Sequence, residues 1–175
     1  MQCLICPTKG RLVESPNDMT KFPLYDTINV STAGYLSVNY DDILAEVTTS
    51  KRSGMIRMTY GKDTKEGSVA IGSGVNSTFM FNSFVTVTSP TTCEGYAYGS
   101  DFCGNKAAYS VYFAAEFNRP ATITGTWLGD QVVENRNKIG GINCGAYFTF
   151  DVSSDKNPWA RALFPMAPSC CLRLP

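Results

Sequence analysis

The sequence contains no histidine among its 175 residues. Ser-His-Asp and Cys-His nucleophilic catalysis and HExxH zinc sites all need imidazole, so the sequence excludes those mechanisms. Charge is scarce as well, because 15 basic residues balance 15 acidic ones and charged residues make up only 17%. A net charge of zero lacks the basic footprint of a nucleic-acid-binding protein. Any catalysis would therefore have to use carboxylates, cysteine, lysine or tyrosine.

Long hydrophobic runs are also absent. No stretch approaches the roughly 18–20 apolar residues that span a bilayer, so no membrane span is predicted. The apolar run near the N-terminus is short, and Lys9 and Arg11 follow it instead of preceding it. A secretory signal has the opposite order, so the sequence predicts no signal peptide.

The sequence is rich in residues that alternate with a period of two. In the clearest run, Tyr109, Phe113 and Phe117 share one face while Tyr112 and Glu116 share the other. Such runs, rich in Val, Thr, Tyr and Phe and separated by Gly, Asn, Ser and Pro, are typical of antiparallel strands. The sequence predicts an all-β fold, an antiparallel β-sandwich of about seven to ten strands. Residues 41–47 also carry a helix signal, but their alternation favours a strand.

The seven cysteines form an odd set. Cys93 and Cys103 flank a loop rich in glycine and aromatic residues and are candidates for a disulfide. Cys3 and Cys6 have the CxxC spacing of a metal knuckle or redox motif, yet no second pair and no following helix support it. Sequons at Asn29 and Asn76 are candidate glycosylation sites if the protein is secreted.

Two kinds of sugar-binding candidate occur. Tyr96 and Tyr98 lie in the loop between Cys93 and Cys103, where aromatic faces could stack on a pyranose. The alternative is that these tyrosines pack on the sheet. Trp127 ends a predicted strand and is either a platform for a sugar or part of the core.

The acidic residues show no spacing that singles out a catalytic pair, as glycoside hydrolysis would require. Glu116 alternates outward in a strand, and Asp41-Asp42 is typical of a turn. The sequence therefore assigns no catalytic residue and no metal ligand.

Seven segments in register resemble the N-terminal domain of glycoside hydrolase family 92, the calcium-dependent exo-α-mannosidases. The run from Tyr109 to Pro120 is similar to the family phrase YSVYFAA-FDRP, and the run from Ile43 to Arg52 is similar to AELTAT-R. The segments are Ala33–Val38, Ile43–Arg52, Gly54–Arg57, Gly99–Gly104, Tyr109–Pro120, Gly125–Trp127 and Gly145–Asp151.

The resemblance implies a galactose-mutarotase-like supersandwich, incomplete in this chain, that packs on a C-terminal catalytic (α/α) barrel. It implies calcium for the full-length enzyme and mannose-containing N-glycans as partners. The catalytic acids and calcium ligands belong to the barrel, so the chain alone is expected to be inactive. Family enzymes are often secreted, whereas this sequence predicts no signal peptide, so both a secreted and a cytosolic location stay open.

Three regions are expected. Residues 1–30 are an irregular, truncated lead-in with several prolines, residues 31–161 are the family-like sandwich, and residues 162–175 are a tail foreign to the family, as a frameshift or truncated gene would produce. The main alternative is a stand-alone carbohydrate-binding or secreted interaction module without catalysis.

Overall fold

The computed structural model describes residues 4–17, 27–73, 79–101 and 106–163. These residues form two antiparallel sheets, which confirms the predicted β-sandwich, but their fourteen strands exceed the seven to ten expected. Within the described ranges no helix is long and apolar enough to cross a bilayer. The strands are β1 (Leu4–Lys9), β2 (Thr27–Thr32), β3 (Tyr35–Tyr40), β4 (Ile43–Thr49), β5 (Ser53–Tyr60), β6 (Glu66–Ser73), β7 (Phe79–Ser89), β8 (Thr92–Ser100), β9 (Tyr109–Phe117), β10 (Ile123–Leu128), β11 (Gln131–Glu134), β12 (Lys138–Gly140), β13 (Cys144–Asp151) and β14 (Trp159–Leu163).

The strands pair in an order that mixes early and late parts of the chain. The large sheet has nine strands in the order β12-β7-β8-β9-β14-β5-β4-β3-β2, and the small sheet has five in the order β1-β6-β13-β10-β11. β14 therefore lies between β9 and β5, and β13 lies between β6 and β10. Because these neighbours are distant in sequence, neither sheet is complete until the last strands have formed.

The main core lies between the two sheets and contains residues from both. Phe117 of the large sheet packs against Phe148 and Phe150 of the small sheet, with ring centroids 4.6 and 5.0 Å apart. Phe148 and Phe150 are fully buried. Burying side chains of this size stabilises a domain by roughly 1.5–3 kcal/mol each, so the aromatic inward positions of β9 and β13 hold the sheets together.

A second, smaller core covers the other side of the small sheet. Residues 10–17 cross this outer face and bury Leu12. Asn17 fastens the segment, since its Nδ2 donates to the carbonyl oxygens of Gly129 at 2.8 Å and Asn143 at 2.9 Å. The small sheet is thus packed on both faces, and β6 is buried along nearly its whole length.

The prediction that residues 1–30 are irregular was wrong for two segments, because β1 and β2 lie within them. β1 tolerates Pro7 because it is the edge strand of the small sheet, where a missing N–H need not break a ladder. It pairs with β6 in continuous register, Pro7 lying opposite Val69. β2 likewise forms the edge of the large sheet.

The turn predicted at Asp41-Asp42 is confirmed. Both residues have positive φ, 45° and 63°, in the two-residue loop between Tyr40 and Ile43. Positive φ at both central positions is the mark of a type I′ hairpin, and aspartate tolerates that region better than most residues. The strand expected for residues 41–47 is confirmed as β4, which begins after this turn.

Candidate functional site: an aromatic face on the large sheet

Two of the predicted sugar-binding residues lie on the outer side of the large sheet. In β8, Cys93 and Ala97 point into the core, while Tyr96 and Tyr98 point outward. They lie in a strand and not in a loop as the sequence suggested. Neighbouring strands add four more outward rings. Together the six residues form what we call the aromatic face: Phe79, Phe81, Phe84, Tyr96, Tyr98 and Tyr112.

The rings of the aromatic face contact each other across three strands. Phe84, Tyr96 and Tyr112 occupy directly opposed positions on β7, β8 and β9, with centroids 6.1 and 5.8 Å apart. Phe81 lies 4.9 Å from Tyr98 and 5.2 Å from Phe79. These separations lie within the range in which aromatic pairs attract each other. The rings therefore form two contacting groups of three, Phe79–Phe81–Tyr98 and Phe84–Tyr96–Tyr112, on the same side of the sheet.

This surface is open to solvent. Phe79 is 60% exposed, Phe81 47%, Tyr112 41% and Tyr98 39%. Single exposed apolar residues are ordinary in folded proteins, but a contiguous exposed patch marks a binding or docking surface. The aromatic face offers ring surfaces and phenolic hydroxyls, and Asn82 Nδ2 donates to the Tyr96 hydroxyl at 3.5 Å.

A β-bulge in β7 brings the phenylalanines of the aromatic face to the same side of the sheet. The register of β7 against β8 shifts between Met80 and Asn82, so one extra residue enters β7 there. Strict alternation would place Phe81 and Phe84 on opposite sides of the sheet, because three positions separate them. The extra residue brings both to the outer side. Sequence reasoning missed these phenylalanines because the bulge leaves no signal in the periodicity.

The third sugar-binding candidate is not at the surface, so that prediction was wrong. Trp127 is fully buried and packs in the second core with Leu12, Ala70 and Tyr147. Its ring lies over Gly145, directly opposite on β13. An indole with no exposed surface cannot stack on a sugar, and the alternative that Trp127 is core is correct. Its buried Nε1 has no hydrogen-bond partner among the described residues.

The disulfide predicted between Cys93 and Cys103 stays a prediction. Cys103 lies outside the described residues. Cys93 is buried in the main core.

The other cysteines of the described chain show no sign of reactivity. Burial raises the pKa of the Cys6 thiol, although a contact with the Tyr40 hydroxyl opposes the shift. Burial likewise raises the pKa of Cys144, which lies 3.2 Å from the Ser83 hydroxyl. A thiol with a raised pKa is a poor nucleophile and a poor metal ligand at neutral pH. Cys3 lies outside the described residues.

Of the two candidate glycosylation sites, only Asn29 lies within the described residues. Asn29 is exposed on the edge strand β2, at the position where the register with β3 shifts. Its Nδ2 donates to Asn39 Oδ1 at 3.3 Å. Asn76 lies outside the described residues. Modification at either position remains a prediction.

The metal implied by the resemblance is calcium, which prefers several oxygen ligands. Across residues 4–17, 27–73, 79–101 and 106–163 no group of three or more His, Cys, Asp or Glu side chains could hold a metal ion. The described residues therefore do not fit a calcium site.

Comparison with known proteins decides the family. The model of the glycosyl hydrolase family 92 N-terminal domain matches residues 2–161. The chain belongs to this family. The family 92 match includes β1 and everything through Arg161 of β14, so the early residues expected to be an irregular lead-in carry family sequence as well. A comparison with curated proteins found no match.

Solved structures of family 92 proteins share the fold. The glycosyl hydrolase ccman5 is 25% identical with a TM-score of 0.74, and the match covers 93% of this chain and 23% of ccman5. The α-mannosidase BT3965 from Bacteroides thetaiotaomicron is 21% identical with a TM-score of 0.75, covering 93% and 24%. The inverting mannosidase BT2199 from the same species is 17% identical with a TM-score of 0.70, covering 94% and 22%. The chain thus spans about a quarter of these relatives.

Proposed function

We propose that this chain is the supporting, carbohydrate-binding N-terminal domain of an α-mannosidase that acts on glycoprotein N-glycans. In this proposal it packs on a catalytic (α/α) barrel through the aromatic face and helps to shape the mannose pocket. The observation that carries the proposal is the family match over residues 2–161, together with relatives whose names describe mannosidases. The chain itself contributes no catalytic acid.

The position of the last strand supports the aromatic face as the contact surface. β14 runs antiparallel to β9, so that Leu163 lies opposite Ala114 and Ala160 opposite Phe117. The strand therefore heads toward the Tyr109 end of β9, where Tyr112 belongs to the aromatic face. A catalytic domain that followed β14 would begin beside this open surface. Aromatic clusters that become buried on association dominate the energetics of protein interfaces.

The test uses the part of ccman5 that lies outside the match, expressed without its own N-terminal domain and mixed with this chain. We expect the two to elute together in size-exclusion chromatography and to gain activity on α-linked mannobiosides with calcium. The double variant Phe81→Ser/Tyr98→Ser should lose co-elution. Glu94→Gln, also exposed on β8, is the matched control and should retain it. Co-elution unaffected by the double variant would place the contact elsewhere.

Activity of the chain by itself is a second check. Without a pair of placed carboxylates it should show no turnover of mannobiosides, with or without calcium. Turnover at a rate comparable to family enzymes would overturn the supporting role.

A stand-alone carbohydrate-binding module is the second candidate, and the exposure of Tyr96 and Tyr98 favours it. In that case the isolated chain should bind an N-glycan directly, and Tyr98→Ala should abolish binding. Calorimetric titration of the isolated chain distinguishes this module from a domain whose aromatic face is covered by a barrel.

A further inference from the structure

A small cavity opens on the outer side of the large sheet, separated from the aromatic face by β14. Its volume is about 290 Å³, close to the lower limit for small-molecule sites. Strands β3, β4, β5 and β14 supply its lining. We call it the β4–β5 cavity. Its lining includes Tyr35, Glu46, Thr48, Met55, Arg57 and Trp159.

The β4–β5 cavity has aromatic walls and a charged floor. Tyr35 stands on β3 and Trp159 on β14, with two strands between them and an offset of two residues along the strands, so their backbones lie about 16 Å apart. Glu46 and Arg57 lie directly opposite each other on those two intervening strands. The floor is therefore wide enough for one ring between the aromatic side chains, and Met55 gives it an apolar portion.

The charged floor is held in one geometry. Arg57 Nε donates to Glu46 Oε2 at 2.7 Å and its Nη2 lies 2.7 Å from the same oxygen, while the Tyr35 hydroxyl donates to Oε1 at 2.9 Å. The hydrogen bonds from Tyr35 and Arg57 lower the pKa of Glu46, which is thus ionised at neutral pH. The Glu46 side chain is only 17% exposed, so its orientation is set by these partners.

Hydrogen-bonding capacity remains for a ligand. The Arg57 side chain is 57% exposed and directs two of its five N–H groups at Glu46, which leaves three donors for a ligand. Glu46 Oε1 accepts one bond from Tyr35 and has a second lone pair. The pair offers a donor and an acceptor side by side, and its charges cancel. A charged ligand would gain little there, whereas adjacent hydroxyls match both groups.

We propose that the β4–β5 cavity binds one hexopyranose unit of a neutral glycan. The ring stacks its apolar face on Trp159 or Tyr35, one hydroxyl donates to Glu46 and its neighbour accepts from Arg57. This inference goes beyond the proposed function, since it requires neither the aromatic face nor a catalytic partner.

The two tryptophans make a direct test. The chain contains only Trp127 and Trp159, and the first is fully buried away from this cavity. Methyl α-mannopyranoside is titrated into the full chain while the two indole N–H signals are followed in a ¹H–¹⁵N spectrum. We expect the Trp159 signal to shift and saturate at millimolar sugar while the Trp127 signal stays. Trp127→Phe assigns the two signals.

Variants locate the site. Glu46→Gln and Arg57→Gln should each weaken binding about tenfold, the loss expected of a hydrogen bond to a charged group. Glu116→Gln, exposed on β9 outside the cavity, is the matched control and should bind as the unsubstituted chain does. Urea unfolding of each variant shows that the fold is retained.

The outcomes separate this site from the aromatic face. A Trp159 shift weakened by Glu46→Gln and unaffected by Tyr98→Ala supports the β4–β5 cavity, whether or not the chain binds a barrel. No shift of Trp159, or a shift that Glu46→Gln leaves unchanged, overturns it. Binding lost only in Tyr98→Ala also overturns it and places the sugar on the aromatic face.

Discussion

Both sheets carry aromatic residues on their outer sides, but those of the small sheet are buried and those of the large sheet are at least partly exposed. On the small sheet, Trp127 and Tyr147 are covered by residues 10–17 and belong to a core. On the large sheet, Tyr98 is exposed and Tyr96 is half-buried, and no segment of that kind covers them within the described residues. An aromatic residue in an alternating strand is therefore core or surface according to what crosses above it. The open face is the surface that we propose contacts a partner.

The largest expected effect comes from removing the covered tryptophan. Trp127→Ala should lower the free energy of unfolding by about 3–5 kcal/mol, because it deletes the largest fully buried side chain and leaves a cavity. Urea denaturation measures this loss. A loss below about 1 kcal/mol would mean that the outer side of the small sheet is not a core and that the two faces are alike.

Removing the cover itself should have the next largest effect. Leu12→Ala is expected to cost about 2 kcal/mol, at the lower end for a buried leucine, and to shift the emission of Trp127 to longer wavelength as water approaches. Its neighbour Val13 is 78% exposed, so Val13→Ala is a matched control that should change stability by less than about 0.5 kcal/mol. Equal effects of the two substitutions would contradict the covering role of this segment.

The fit between Trp127 and Gly145 can be tested with a double-mutant cycle. A Cβ at Gly145 would lie 2.2 Å from the indole ring and 2.5 Å from the Ile71 carbonyl oxygen. Gly145→Ala should therefore cost about 1–3 kcal/mol, and part of that cost should disappear in a Trp127→Ala background. Gly54→Ala, which meets nothing closer than 3.7 Å, should be tolerated. A cost that is the same in both backgrounds would exclude the contact with the indole.

The smallest effect is expected on the open face. Tyr98→Ser should change the free energy of unfolding by less than about 1 kcal/mol, since the side chain is 39% exposed and loses mainly its contact with Phe81. The same urea experiment measures it. A loss near that of Trp127→Ala would show that the aromatic face is held as firmly as the covered one.

Much of the fold could be predicted because alternation is local. β4 and β9 follow their period-two patterns, and the hairpin at Asp41-Asp42 follows from residues that tolerate positive φ. β6 was not predicted, because it is buried on both faces and such strands have no alternation to detect. β1 was not predicted either, because Pro7 suggested a loop, although an edge strand tolerates a proline.

The candidate site was only partly predictable. Tyr96 and Tyr98 could be chosen by residue type, but Phe81 and Phe84 join them through a bulge that periodicity does not report. The β4–β5 cavity could not be found, since it depends on β14 inserting beside β5, roughly a hundred residues later in the chain. Trp127 was ambiguous by sequence because its cover comes from residues more than a hundred positions earlier.

The sequence by itself determined the class of fold, the family and the lack of imidazole chemistry, because composition and alternation are properties of neighbouring residues. Only the tertiary structure decided which aromatic residues are buried and which are exposed. That difference depends on long-range packing: residues 10–17 cover the small sheet, whereas no described segment covers the aromatic face of the large sheet. Burial is a relation between distant segments, so it exists only once the chain has folded.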